Sequence, residues 1–99
     1  METYILKNSN RKGKRYLLEM PKYKHSHHFG SAGGKTYIDH NDDKKKAAWI
    51  ARHKKDKNYN NKHSGIFHSR ELLWTEKNLN KSIKRYEIKY NIKIINKIK

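Results

Sequence analysis

A chain of 99 residues is one domain's worth of polypeptide, too short for an elaborate catalytic scaffold, and its lack of cysteine closes off disulfides, thiolate nucleophiles and thiolate zinc sites. Lys and Arg number 25 against nine Asp and Glu, a formal charge of +16 that attracts polyanions and puts nucleic acid first among partner classes. No apolar run reaches transmembrane length, and Met1-Glu2-Thr3-Tyr4 lacks a signal peptide's apolar stretch, so neither a membrane span nor secretion is expected.

The first predicted element is a basic β-hairpin, with strands Thr3–Leu6 and Arg15–Met20. Between them Asn8-Ser9-Asn10-Arg11-Lys12-Gly13-Lys14 supplies the Asn and Gly that tolerate the positive φ of a turn. Pro21 ends the second strand because it cannot donate to a ladder, and the His-, Gly- and Ser-rich stretch up to Lys35 reads as a loop. Thr36-Tyr37-Ile38 reads as a short strand. Asp39, Asn41 and Asp42 then offer side-chain oxygens to the free amides of a helix running from about Asp43 to Lys54. Ala47, Ile50 and Ala51 fall on one face of that helix with Trp49 at its edge, and this face is expected to pack on the hairpin.

Residues 54–62 are polar and Asn-rich, a loop. Ser64-Gly65-Ile66-Phe67 returns to the core ahead of a short helix around Arg70 to Thr75, anchored by Leu72, Leu73 and Trp74. From Leu79 the apolar positions Leu79, Ile83, Tyr86 and Tyr90 step by four, three and four residues, the clearest amphipathic helix in the chain, which Asn91 ends. The β-branched, partly alternating tail Ile92-Lys93-Ile94-Ile95-Asn96-Lys97-Ile98 predicts a closing strand. The whole chain, 1–99, reads as one α+β domain with a small core, since 11% aromatic residues are too many for a disordered polyelectrolyte.

The candidate phosphate contacts are Arg11, Lys12, Lys14 and Arg15 on the hairpin, Lys35 after the glycine-rich stretch, Lys44, Lys45 and Lys46 opening the central helix, and Arg52, Lys54 and Lys55 at its end. Neutralising roughly 6 to 10 phosphates frees condensed counterions and supplies affinity without reading any base. Lys44 to Lys46 lie in a first helical turn, where the dipole disfavours cations, so something other than helix stability favours them. Trp49 and Trp74 sit among Ala, Ile and Leu at core spacing and are assigned to packing, which leaves Phe29, inside the glycine-rich stretch, as the candidate wedge or stacking residue.

Three catalytic or metal patterns are weighed against this. Gly33-Gly34-Lys35-Thr36 ends like a P-loop, but Phe29 stands where the first glycine belongs. Seven His, with His25, His27 and His28 clustered and His40, His53, His63 and His68 further on, invite a metal, yet no paired-ligand signature accompanies them. Asp39-His40-Asn41 with Asn61 and His63 has the residue order of a degenerate His-Asn-His nuclease, in which a His activates water and a metal steadies the phosphate. No catalytic residue, metal ligand or cofactor is assigned.

His28-Phe29-Gly30, Thr36-Tyr37-Ile38-Asp39-His40, Ala48-Trp49-Ile50-Ala51-Arg52-His53 and Leu72-Leu73-Trp74 resemble a family of short basic proteins of giant DNA viruses. That resemblance implies a virion nucleoid or a viral factory in the host cytoplasm as the location. A basic hairpin followed by an Ala-containing helix and a later Trp is more weakly similar to the small chromosomal protein of methanogenic archaea, which implies genome compaction. The expectation is therefore a non-enzymatic, largely sequence-independent binder of double-stranded DNA, monomeric or weakly self-associating, with no membrane partner. The alternatives are the metal-dependent nuclease and an RNA-binding or virion scaffolding protein. Charging of the His residues is expected to tighten binding near pH 6.

Overall fold

The computed structural model describes residues 2–99. Strands β1 (Glu2–Asn8) and β2 (Lys14–Met20) form the expected hairpin, with Leu6 opposite Leu18 and Ile5 opposite Glu19. A single 3-10 turn at Pro21–Tyr23, closed by Lys24 at φ 54°, then reverses the chain into β3 (His25–Ser31). This corrects the loop expected here. β3 pairs antiparallel with β2 from Met20 opposite His25 to Lys14 opposite Ser31, so Pro21 marks a tight turn between two strands. The helices α1 (Tyr37–His40), α2 (Asp43–His53), α3 (Gly65–Leu73) and α4 (Leu79–Tyr90) follow. The last strand, β4 (Ile92–Asn96), lies parallel to β1 and gives the sheet order β3-β2-β1-β4. The domain is α+β, as the sequence indicated.

Tyr37 and Ile38 are helical rather than extended, and Thr36 keeps extended backbone as the N-cap of that turn. The Asp39 carboxylate accepts from the Thr36 amide at 2.7 Å and the Thr36 hydroxyl at 2.9 Å, while the Thr36 carbonyl accepts from the amides of Asp39 and His40. Local side-chain hydrogen bonds thus outweigh the β-propensity of Thr and Ile. Asn41 ends the turn at φ 52°, and Asp42 starts α2 by accepting from the amides of Lys44 and Lys45.

One face of the sheet is covered by helices. Leu6, Leu18, Met20, Leu72 and Leu73 are fully buried there, each contributing on the order of 1.5–3 kcal/mol through burial. The helices that lie on the sheet are α3, against β3, and α4, against β4, and not α2 as expected, since α2 contacts α1 instead. Its inward residues also differ from expectation: Trp49 is buried, with Lys46, Ile50 and His53 half-buried, while Ala47 and Ala51 are exposed. Trp49 stacks on Trp74 at 5.1 Å with planes 11° apart, both rings inside the core, which bears out their assignment to packing. In α4, Ile83 and Tyr86 are buried and Leu79 and Tyr90 half-buried, the stripe its spacing specified, and Asn91 closes it at φ 52°.

Buried Glu71 ties α3 to α4. Its carboxylate meets Arg85 at 2.6 Å, Arg70 at 3.0 Å and Lys89 at 3.5 Å. The close approach of α3 to β3 depends on Gly65, because a Cβ there would come within 2.9 Å of the His28 carbonyl oxygen. Gly65→Ala is therefore expected to push α3 off the sheet edge and cost about 1–3 kcal/mol by overpacking against backbone that cannot yield. Chemical denaturation of the two forms measures it, and an unchanged midpoint would show that the approach is not tight.

Candidate nucleic-acid interface

All nine carboxylates are engaged within the fold. Glu2, Glu19, Asp39, Glu71 and Glu76 sit in ion pairs. Asp42, Asp56 and Glu87 accept from backbone amides, and Asp43 accepts from the Tyr37 hydroxyl. Six cations, Lys7, Arg15, Lys22, Arg70, Arg85 and Lys89, take the acidic partners, so 19 of the 25 Lys and Arg have no ion pair among the described residues. The fold has used up its negative charge internally and leaves the positive excess unopposed.

The candidate contacts divide accordingly. Arg11, Lys12 and Lys14 stand exposed around the hairpin turn, Lys35 is exposed ahead of α1, Lys44 and Lys45 are exposed in the first turn of α2, and Arg52, Lys54 and Lys55 are exposed at its end. Two others are held by the fold and are corrected to structural roles. Arg15 grips Asp39 through both guanidinium nitrogens, at 2.6 and 2.8 Å, and also reaches Thr36. Lys46 donates to the Thr75 carbonyl at 2.7 Å and covers the Tyr37 ring at 4.6 Å. Phe29 is the third correction: only 1% exposed, it packs against Tyr16 and His68 in the core and cannot act as a wedge.

Arg15 holds the Asp39 carboxyl well below the usual carboxylate range, with the Thr36 amide and hydroxyl assisting and partial burial opposing. A depressed value means that the pair's stabilisation is complete above the unfolded carboxylate's pKa of about 3.9 and is lost as pH falls further. Arg15→Ala is expected to cost about 1.5–3 kcal/mol at neutral pH and to leave affinity for duplex DNA at the wild-type level. Parallel unfolding and binding curves test both halves, and a loss of affinity with intact stability would return Arg15 to the interface.

Two of the exposed cations, Arg11 and Lys14, border a cleft of about 460 Å³ where the hairpin meets the helices. Arg11 and Lys14 line it from the hairpin, Trp49 and His53 from α2, and Gly65, Ile66 and Ser69 from the first turns of α3. The His53 Nδ1–H donates to the Trp49 carbonyl at 2.8 Å and its ring stacks on Trp49 at 4.3 Å, which fixes it at the cleft wall. The sequence marked each of these cations, but the cleft depends on the α3–β3 contact, to which no local signal points.

The P-loop and nuclease patterns do not assemble. Thr36 does begin a helix, but α1 has four residues and the Thr36 hydroxyl is bonded to Asp39 and Arg15, which leaves no P-loop cradle. His40 packs edge-on to Trp74 and Tyr37, whereas His63 faces Tyr23, His25 and His27, so the two do not share a site. No helix among the described residues is long and apolar enough to cross a membrane. His68 is fully buried with its pKa pushed down to about 3, and His27 and His28 are also lowered, so the expected tightening of binding near pH 6 cannot draw on all seven rings.

No curated protein and no solved structure matches the chain. A match to a sequence family covers residues 4–53, which runs from β1 through the three antiparallel strands to the end of α2. It thus takes in the hairpin, α2 and both cations that line the cleft. With half of its residues matched, the chain belongs to the family described as "Family of unknown function (DUF5754)".

Proposed function

We propose that the chain is a non-enzymatic, largely sequence-independent binder of double-stranded DNA that compacts or bends a genome through phosphate contacts. The observation that carries this reading is the internal use of every carboxylate beside a large unpaired cation excess displayed from the hairpin turn and both ends of α2. A body whose longest extent is 36 Å spans about one turn of duplex, enough for the roughly 6 to 10 phosphates at which counterion release dominates affinity. Exposed lysine side chains suit backbone contact and require no base edge.

The test is a salt-titrated binding assay with labelled duplex DNA, run with and without divalent metal and read for both retardation and strand breakage. Binding that weakens steeply with salt and leaves the strands intact is the expected result. Metal-dependent breakage would favour the nuclease, preference for single-stranded RNA in competition would replace DNA as the ligand, and absence of binding would end the reading.

A further inference from the structure

Outside the basic cleft, three histidines gather at the β3 edge. His25 and His27 are two residues apart on the strand, so their side chains leave the same face. The His63 ring arrives from the loop before α3, with its centroid 5.3 Å from that of His25 and 6.1 Å from that of His27. The His25 and His27 rings are themselves 6.1 Å apart and nearly parallel.

Hydrogen bonds hold the loop that carries His63 in place. The buried His68 Nε2–H donates to the Lys62 carbonyl at 2.9 Å, and the Asn61 side-chain oxygen accepts from the His63 amide at 2.9 Å. The Ser64 hydroxyl contacts the carbonyls of Asn58 and Asn61, both at 2.8 Å. Gly65 then seats the start of α3 against the β3 backbone.

We propose that His25, His27 and His63 form a three-imidazole site for a divalent transition-metal ion of the zinc type, which pins the β3 edge to the loop that opens α3. Metal–nitrogen bonds of about 2.0–2.1 Å in tetrahedral geometry put ring centroids about 5 Å apart, so one pair already has the spacing and the other two lie about an ångström beyond it. As the rings stand, no three donor side chains among the described residues converge on a metal position. Closing the remaining gap requires the rings of His25 and His63, both exposed, to rotate toward a shared ion. His27 supplies the second observation: its Nε2 is buried and has no hydrogen-bond partner, a polar atom that a metal bond would satisfy. An all-imidazole set suits zinc, nickel or copper over magnesium or calcium and leaves a fourth position for water. This inference stands apart from the nucleic-acid reading, because none of its three ligands lines the basic cleft.

The test titrates the full chain with zinc ion against a chromophoric chelator and follows the thermal midpoint alongside. One equivalent is expected to bind and to raise the midpoint. His25→Ala and His63→Ala, at exposed positions that spare the core, are each expected to weaken zinc binding more than roughly tenfold. His28→Gln, adjacent in sequence but on the other face of β3, is expected to leave zinc binding unchanged. Absence of saturable binding at protein-equivalent zinc overturns the proposal, as does binding that survives both alanine variants or falls equally in His28→Gln.

Discussion

Reversing Arg11 and Lys14 together to Glu is expected to weaken duplex DNA binding by about a hundredfold at 0.1 M salt and to flatten its salt dependence. Each phosphate contact contributes a slope near 0.9 in log K against log salt, so one lost contact costs about tenfold at that salt, and two lower the slope by about 2. The three consecutive lysines of α2 give the sharper comparison. Lys44 and Lys45 are exposed, whereas the Lys46 ammonium is bonded to the Thr75 carbonyl and seated over Tyr37. Lys44→Glu with Lys45→Glu should therefore repeat the hairpin result, while Lys46→Met should leave binding alone and lower stability. Salt-dependent fluorescence anisotropy with the three variants measures all of this. Equal losses from all three would mean that binding follows net charge alone, with no interface defined by the fold.

Which lysines are free was not legible in the sequence, and the reason is one of distance along the chain. Arg15 and Lys14 are neighbours of like charge, and only the return of Asp39 to the start of β2 takes one of them out of the surface. The legible elements were those with one-sided burial. α4 carries a stripe of Leu79, Ile83, Tyr86 and Tyr90, and β4 alternates buried Ile92 and Ile94 with exposed Lys93 and Ile95. β3 was hidden because it is an edge strand, where period-two patterning carried by His25, His27 and Phe29 looks like a polar loop until β2 pairs with it. The start of α3 was hidden in a similar way: Ser64 and Gly65 read as loop residues, yet one caps the helix and the other permits its contact with β3. The same contact carries His63 to His25 and His27, so that cluster could not be assembled from residues almost 40 positions apart.

Acidification from about pH 6.5 toward 3 is expected to unfold the chain, and His68 is the main reason. Its ring is fully buried, and since a carbonyl has no proton to give, the Nε2 facing Lys62 must carry the hydrogen, which leaves Nδ1 to accept weakly from the Tyr86 hydroxyl at 3.4 Å. Burial, reinforced by nearby His27 and His63 and partly opposed by the Lys62 bond, pushes its pKa down to about 3. In the unfolded chain the same ring takes a proton near pH 6.5, so between these values the unfolded state binds more protons and stability falls as pH drops, by up to about 1.4 kcal/mol per pH unit. Over that window the loss reaches several kcal/mol, comparable to the roughly 5–15 kcal/mol that holds an ordinary domain together. Asp39 adds its own loss only below about pH 3.9, after most of the histidine effect has accumulated. Urea unfolding midpoints from pH 8 to 4 should therefore fall steeply in the wild type. His68→Leu, which leaves the Lys62 carbonyl unpaired, should start lower at pH 8 but fall more gently, by about one proton's worth of slope. The lowered pKa of His27 accounts for part of the slope that remains. A variant that loses stability as steeply as the wild type would place the acid sensitivity in another group and leave His68 as packing alone.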